Sequence, residues 1–371
     1  MKDRERKQNQ VYPFTIDLTK RPPSTSTGSD SDSPFNSNPD CAPLFPSTYR
    51  TPQGNLHLVE SNISDFLASE LNVTKLDSIY NHLWLAGLPV PPRPLHYQVV
   101  LGREIVVCER MDMHLVWGKG RMYLKPIPRF LLSPGFWGEY LSCVEGCVCF
   151  RTVGRGQCAA KIQRSIAFGF LFTYASLLSS ETDFLLAQEL GLVPHELTSS
   201  TSNTTKNHWA DWCTLVEQLL THHTITSFPS SSTNIYTHIH RRFQYSELRL
   251  SRLNTITLLT SRTLTPFLNP YPSYTDFLRD QLAWLAAATI YIVLVLAAMQ
   301  VGLATNRLQG NEVYMSAAYG FSIFAILGPL VGGFFVVGSL AVVVVVNWAW
   351  QRGRARGRFR VMSGELGWEG E

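Results

Sequence analysis

From Leu282 to Leu303 the chain reads LAWLAAATIYIVLVLAAMQVGL, a stretch without a charge between Asp280 and Arg307. As a helix at 1.5 Å per residue it covers roughly 33 Å, enough for a hydrocarbon core of about 30 Å. The segment is therefore expected to cross a bilayer. A second uncharged stretch runs from Val313 to Gln351, too long for one upright helix and too short for two full spans and a turn. It reads as one helix from about Ala317 to Val346, tilted or bent at Pro329, whose ring and missing N–H disturb a helix. The rival reading is a re-entrant break at GPLVGG, Gly328 to Gly333, which would need protein or a wet cavity around its non-helical backbone. The predicted architecture is a mostly helical α+β cytosolic domain followed by a C-terminal transmembrane α-helical hairpin.

Charge orients the hairpin. VVVVVNWAWQRGRARGRFR, Val342 to Arg360, places Arg352, Arg354, Arg356, Arg358 and Arg360 after the second span, and Arg262 and Arg279 precede the first. Only Arg307 lies in the short connection Ala304 to Glu312. Lys and Arg collect on the cytoplasmic side of spanning helices, so both termini are expected in the cytosol, with Trp348 and Trp350 at the interface. The sequons at Asn62, Asn72 and Asn203 are then expected to stay unglycosylated. The arginine run is either a solvated tail or a contact for anionic lipid, the latter worth about 1 kcal/mol per charge near the surface.

Within the spans the polar exceptions include Thr289, Gln300 and Ser322, and Asp, Glu, Lys, Arg and His are absent. Those five mark proton relays and charged-solute paths, so a transporter of charged solutes is poorly supported. Ala298 and Gly302, like Gly328 and Gly332, stand four apart, a spacing of small residues that lets helices approach closely. Packing inside the hairpin is the plainer use of these four; contacts in a homo-oligomer are the alternative.

The remainder of the 371 residues is more polar, with a formal net charge of +4 for the whole chain. MKDRERKQNQ is not followed by the apolar run of a secretory signal, so insertion is expected to use the internal segments. Seven cysteines without regular spacing suit reduced thiols in a cytosolic domain. Residues 1–60 are rich in Pro, Ser, Thr, Asn and Asp and are expected to be disordered. An α+β domain is expected over 61–275, with serine-rich insertions at 197–207 and 227–234, then the spans within 276–351 and a basic tail over 352–371.

Inside that domain Ile63, Phe66, Leu67, Leu71, Leu76, Ile79, Tyr80, Leu83 and Trp84 recur at helical steps, giving one or two helices that end at Gly87. HLVWGKGRMYLKP, His114 to Pro126, predicts a hairpin around Gly118-Lys119-Gly120. A short helix is expected after Pro134, a long one from about Ala159 to Leu190, another from His208 to His222, and a last one from about Ile235 to Thr260. The third of these should bury Trp209, Trp212, Cys213, Val216, Leu219 and Leu220 on one face. SIAFGFLFTYASLLSS, Ser165 to Ser180, is uncharged but short and rich in hydroxyls, so it reads as a core helix and not as a third span.

FLRDQLAWLAAATIYIVLVLAAMQVGLAT and AAYGFSIFAILGPL resemble stretches of an uncharacterised family of fungal membrane proteins. LPVPPRPLHYQVVLGREIVV, HLVWGKGRMYLKPIPRFLLSP, GFLFTYASLLSSETDFLLAQELGLVP and YSELRLSRLNTI carry the likeness upstream, so that it covers most of residues 60–347. The resemblance implies a membrane anchor and supplies no activity, catalytic residue or ligand. The serine-rich insertions and the arginine-rich end depart from the family pattern.

Enzyme signatures such as GxSxG, GxxxxGK[ST] and HExxH are missing; His195-Glu196 runs on into Leu197, Thr198 and Ser199. Gly154-Arg155-Gly156-Gln157-Cys158-Ala159 fits GxGxxA but lacks the preceding apolar strand and following βαβ units of a dinucleotide fold. Cys143, Cys147, Cys149 and Cys158 are the candidate metal ligands, since four thiolates can close a tetrahedral zinc site. Paired CxxC knuckles would be specific; CxxxCxC with a distant fourth cysteine is not, and unliganded thiols are the plainer reading. Redox-active or acylated cysteine is a further alternative. No other cofactor and no nucleic-acid partner is implied. The function expected is a noncatalytic, membrane-anchored interaction or scaffold protein, with a cytosolic protein or a second copy as partner. An oligomeric two-helix channel similar to the CorA-type magnesium channels is the alternative, although their Gly-Met-Asn loop is replaced here by Gln309-Gly310-Asn311. A membrane-bound enzyme without a recognisable motif is the second alternative.

Overall fold

A computed structural model describes residues 12–19, 44–51, 54–142, 158–194, 208–226, 235–260, 267–268 and 274–362. They belong to two units, Met1–Leu268 and Asn269–Glu371. The first unit is α+β. Strands β1 (Thr48–Arg50) and β2 (Leu56–Leu58) form a small antiparallel ribbon. Helix α1 (Ile63–Glu70) begins where Asn62 Oδ1 accepts the Asp65 N–H at 3.1 Å, an N-cap that satisfies one of the four unpaired donors of a helix start. The expected one or two helices over 63–87 are in fact three short pieces: α1, α2 (Thr74–Asp77) and a 3-10 helix over Tyr80–Leu85. The break has a local cause, since Asn72 Oδ1 accepts the Thr74 N–H at 2.9 Å and turns the chain there. The buried stripe still follows the apolar positions through Leu71, Leu76, Ile79 and Leu83, but Trp84 is 63% exposed.

Helix α3 (Leu95–Val100) follows the proline-rich turn, and then come β3 (Glu104–Val107), β4 (Val116–Gly118) and β5 (Arg121–Leu124). The predicted hairpin is present: β4 and β5 pair antiparallel with Gly118 opposite Arg121. Lys119 and Gly120, with φ of 50° and 73°, close it as a two-residue turn whose left-handed backbone matches the strand twist. Leu115 also has positive φ, 63°, and this interrupts strand alternation so that His114, Leu115 and Val116 are all buried in succession.

Next in order are α4 (Pro134–Glu139), α5 (Ala159–Leu177), α6 (Glu181–Glu189), α7 (His208–Thr226), β6 (Leu248–Arg249) and α8 (Leu250–Thr260). The sheet order is β3-β5-β4-β6, with β3 parallel to β5 and β6 parallel to β4. The single helix expected over 159–190 is divided because Ser180 and Asp183 form a capping box that starts α6 afresh. The helix expected over 235–260 holds only from Leu250, since two 3-10 turns precede it and pairing with β4 draws Leu248 and Arg249 into the sheet. Helix α5 is a core helix: Ile166 to Tyr174 and Leu177 are buried. Gly169 on α5 admits the Phe243 ring, whose Cδ2 would lie 2.6 Å from any added Cβ. On α7 the buried face is Trp212, Leu215 and Leu219, with Cys213 and Leu220 exposed, so the expected stripe is rotated.

Disorder over 1–60 is corrected at two places. Phe14 packs edge-on against Trp137 at 5.9 Å, and the Thr15 N–H donates to Gln218 Oε1 at 2.7 Å. Phe45 stacks on Phe130 at 5.7 Å and meets Phe66, Phe136 and Tyr140 edge-on. Buried and half-buried aromatic side chains hold the described residues of this segment against the core.

The second unit contains α9 (Tyr274–Leu303) and α10 (Glu312–Met362), joined by a turn in which Asn311 Oδ1 accepts the Val313 N–H at 3.0 Å. Helix α10 passes through Pro329 without a re-entrant break. It also continues beyond Val346 to Met362, so that Arg352, Arg354, Arg356, Arg358 and Arg360 lie on helical backbone. Arginine and alanine are good helix formers, and cations near a helix C-terminus complement its dipole.

Candidate functional site

A cavity of about 1150 Å³ opens in the first unit where the chain leaves β5 and passes under the segment before β1. Its floor is aromatic, built from Phe45, Tyr49, Phe66 and Phe130, with Phe66 edge-on to Phe130 at 5.9 Å and to Tyr49 at 5.9 Å. Its wall carries Glu70, Glu109, Arg110 and Asp112. The Arg110 guanidinium donates from Nε and Nη2 to the two Asp112 oxygens at 2.9 and 2.6 Å, a fork that fixes both side chains. That bond to Asp112 holds the Arg110 pKa above its usual value against the opposing effect of burial.

Behind the wall is a buried polar chain centred on Lys125. Its side chain is fully buried, and Nζ donates to Glu70 Oε1 at 2.5 Å, to the Glu109 carbonyl, and to Glu109 Oε2 at 3.3 Å. The Lys125 backbone is held as firmly. Its carbonyl accepts from Tyr174 Oη at 2.5 Å and its N–H donates to His114 Nδ1 at 3.2 Å. An acceptor at Nδ1 puts the His114 proton on Nε2, which donates to Thr173 Oγ1 at 2.9 Å, and Thr173 donates on to the Phe170 carbonyl at 2.6 Å. Arg242, also buried, donates to the carbonyls of His114 and Tyr245 at 2.9 and 3.0 Å. Burial pulls its pKa down to about 9. The sheet, α1, α5 and the segment before β6 are thus tied together directly behind the cavity.

Two other charged sites flank the sheet. Glu247 accepts from Arg93 Nε at 2.9 Å, Arg103 Nη1 at 2.6 Å and Gln98 Nε2 at 2.7 Å. Burial alone would raise its pKa, but these bonds overcome it and hold Glu247 at about 2. Asp183 accepts from His96 Nδ1 at 2.8 Å and from the His96 N–H at 2.7 Å, and the Ser180 hydroxyl donates to it at 2.7 Å. Against the raising effect of burial, the His96 and Ser180 bonds lower its pKa.

Burial, and then the charges of Arg242 and Lys125, holds the His114 pKa well below 6.5. An unfolded histidine titrates near 6.5, so below that pH the unfolded chain takes up a proton that the folded chain refuses. Stability is expected to fall from pH 6.5 downward by up to about 1.4 kcal/mol per unit on account of His114. His240, lowered by burial, acts in the same direction. Glu247 adds a further loss only between its unfolded value of 4.5 and about 2. Urea titrations of the full chain at pH 7.5, 6.5 and 5.5 measure this; in His114→Gln the slope should flatten, and an unchanged slope would place the proton uptake elsewhere.

The residues singled out from sequence are not assembled around this cavity. Cys143, Cys147 and Cys149 lie outside the described residues, and Cys158 sits partly exposed at the start of α5. Among the described residues no group of three or more His, Cys, Asp or Glu is placed to hold a metal ion. Gly302 and Gly332 face the hairpin interior. A Cβ on Gly302 would collide with the Tyr314 hydroxyl, which donates to the Met299 carbonyl at 3.0 Å, and one on Gly332 would lie 2.8 Å from Leu285 Cδ1. Gly328 meets only Phe324 of its own helix, and Ala298 is exposed. Arg352 lies over the Trp348 ring at 4.9 Å, one helical turn on. Sequence reasoning passed over Lys125, Glu70, Glu109 and Arg110. The one signal in the sequence was a lysine directly after the β5 run Met122-Tyr123-Leu124.

A family model described as a family of unknown function (DUF6601) matches residues 63–329. No curated protein and no solved structure matches the chain.

Proposed function

The chain belongs to the DUF6601 family, whose function is unknown; from its two exposed apolar helices we propose that it is an integral membrane protein whose first unit is a noncatalytic binding module on the cytosolic face. In this reading α9 and α10 cross the bilayer as a hairpin, with both ends of the chain in the cytosol. One observation carries the anchor. The most apolar windows of α9 and α10 have mean hydropathies of 2.4 and 2.5, yet 0% and 6% of them are buried within the structure. The core helix of a water-soluble protein would be mostly covered, so an exposed apolar surface of this extent supports placing both helices in lipid. The seven arginines flanking the hairpin against Arg307 in its loop support the orientation.

The test uses membranes from cells that make the full chain. Alkaline carbonate should leave it in the pellet, and protease added on the cytosolic side should cleave the first unit. Release by carbonate, or protection of the first unit, would overturn the reading.

The cavity supports the binding role, since an aromatic floor with a few fixed polar groups is how pockets gain both affinity and orientation. Its partner is expected to be a cytosolic protein. Lysine-reactive crosslinking in native membranes should join Lys75, exposed on the cavity rim, to one recurrent protein, and Arg110→Glu should remove that product. Divalent-ion flux through purified, reconstituted protein would instead promote a two-helix channel. That alternative is weakened at Leu268, whose N–H is held by Asn254 Oδ1 at 3.1 Å, so the chain turns back on α8 where a channel stalk would continue as one helix.

A further inference from the structure

The first unit carries an apolar surface that nothing above uses. Along residues 84–90 Trp84, Leu85, Leu88 and Val90 are exposed, Trp84 by 63% and Leu88 by 68%. This stretch is not a loose loop. The Ser246 N–H donates to the Leu88 carbonyl and the Arg249 N–H to the Ala86 carbonyl, both at 2.9 Å, and Arg252 Nη1 donates to the Leu85 carbonyl at 2.8 Å. It is therefore fixed along the start of α8. Leu259, two turns after Arg252 and on the same side of that helix, is 81% exposed.

Cations frame the patch. Arg249 and Arg252 are both exposed, and among the described residues neither has a carboxylate partner; Arg249 packs over Trp117 at 5.4 Å. The acid closest in sequence, Glu247, is already occupied by Arg93 and Arg103. An exposed tryptophan and leucines beside arginines that have no carboxylate partner among the described residues form the composition that settles at a membrane–water interface, where rings and aliphatic chains enter the acyl boundary and guanidinium groups meet anionic headgroups.

Covalent continuity selects lipid over other occupants. Leu268 is bonded to Asn254 of α8, and only residues 269–273 separate it from α9. Five residues of sequence between Leu268 and α9 give α8 a high effective concentration at whatever surface α9 enters. We propose that residues 84–90 and the Arg252–Leu259 side of α8 bind the surface of an anionic bilayer as a second, peripheral contact. This rests on the membrane reading of α9 and α10.

The full chain is reconstituted into vesicles of phosphatidylcholine and phosphatidylserine, with photoreactive benzoylphenylalanine placed either at Leu88 or at Phe334, which is 77% exposed on α10. Lipid adducts at both positions are expected, and Trp84→Ser with Arg252→Gln should reduce those at position 88 at least fivefold while leaving those at 334 unchanged. Lipid at 334 with water, or a second copy of the chain, captured at 88 would overturn this inference and leave the anchor standing. No lipid at either position would overturn both.

Discussion

Lys125→Met is expected to destabilise the first unit by about 3 kcal/mol, the lower end of the range for stranding one partner of a buried ion pair. Methionine keeps the length and apolar stem of the side chain, so packing is nearly preserved and the loss reports the ammonium. What remains behind is the Glu70 carboxylate, whose side chain is only 23% exposed, and the Glu109 carbonyl, both without their donor. The exposed Glu109 carboxylate, 78% accessible, regains water and contributes little. For a unit of this size the change corresponds to a fall in Tm of roughly 6–12 °C. Urea midpoints of the full chain measure it directly. Lys125→Met with Glu70→Leu should recover at least half of the loss, because removing both polar partners avoids the stranded charge. A single-variant loss below about 1 kcal/mol would mean that the ammonium does not hold this wall together.

Val293→Arg carries the other large effect. Val293 is at the middle of the 282–303 stretch and 57% exposed, so if α9 crosses the bilayer as proposed an arginine there faces hydrocarbon at full depth. Insertion scales assign about 2.5–3.5 kcal/mol to that position, which lowers the insertion equilibrium on the order of 100-fold. A protease site placed between Gln309 and Gly310 is protected from cytosolic protease if α9 crosses. In Val293→Arg the site should become cleavable, whereas Val107→Arg, on an exposed position of β3, should leave it protected. Equal protection in both variants would remove α9 from the membrane reading.

These two positions differ in how far sequence exposes them. The apolar helices are legible because one property, the absence of charge over more than twenty residues, decides the matter locally. The β4–β5 hairpin is legible for a similar reason, since Lys119-Gly120 accepts positive φ and the flanking runs favour strands. Lys125 is not, because its partners lie at Glu70 and Glu109, far along the chain, and only the assembled sheet brings them within reach. Strand β6 fails in the same way: two residues in an otherwise helical pattern become strand because β4 offers an unpaired edge. The rotated face of α7 is a smaller difference, since periodicity places Cys213 and Leu220 inside while the packed helix buries Leu215 and exposes both. Around the cavity, composition concealed Phe45 and Tyr49 within a segment that averages as polar.

Helix α10 has one more property, set by its 51 residues. At 1.5 Å each they make a rod of about 75 Å, more than twice the thickness of bilayer oil. In the membrane reading proposed above, an apolar helix that continues into an arginine-bearing end would tilt less where lipids are longer and more where they are shorter. Either adjustment would sweep that end through an arc. If α10 crosses a bilayer as proposed, membrane thickness would set how far its arginine-bearing end stands from the headgroups.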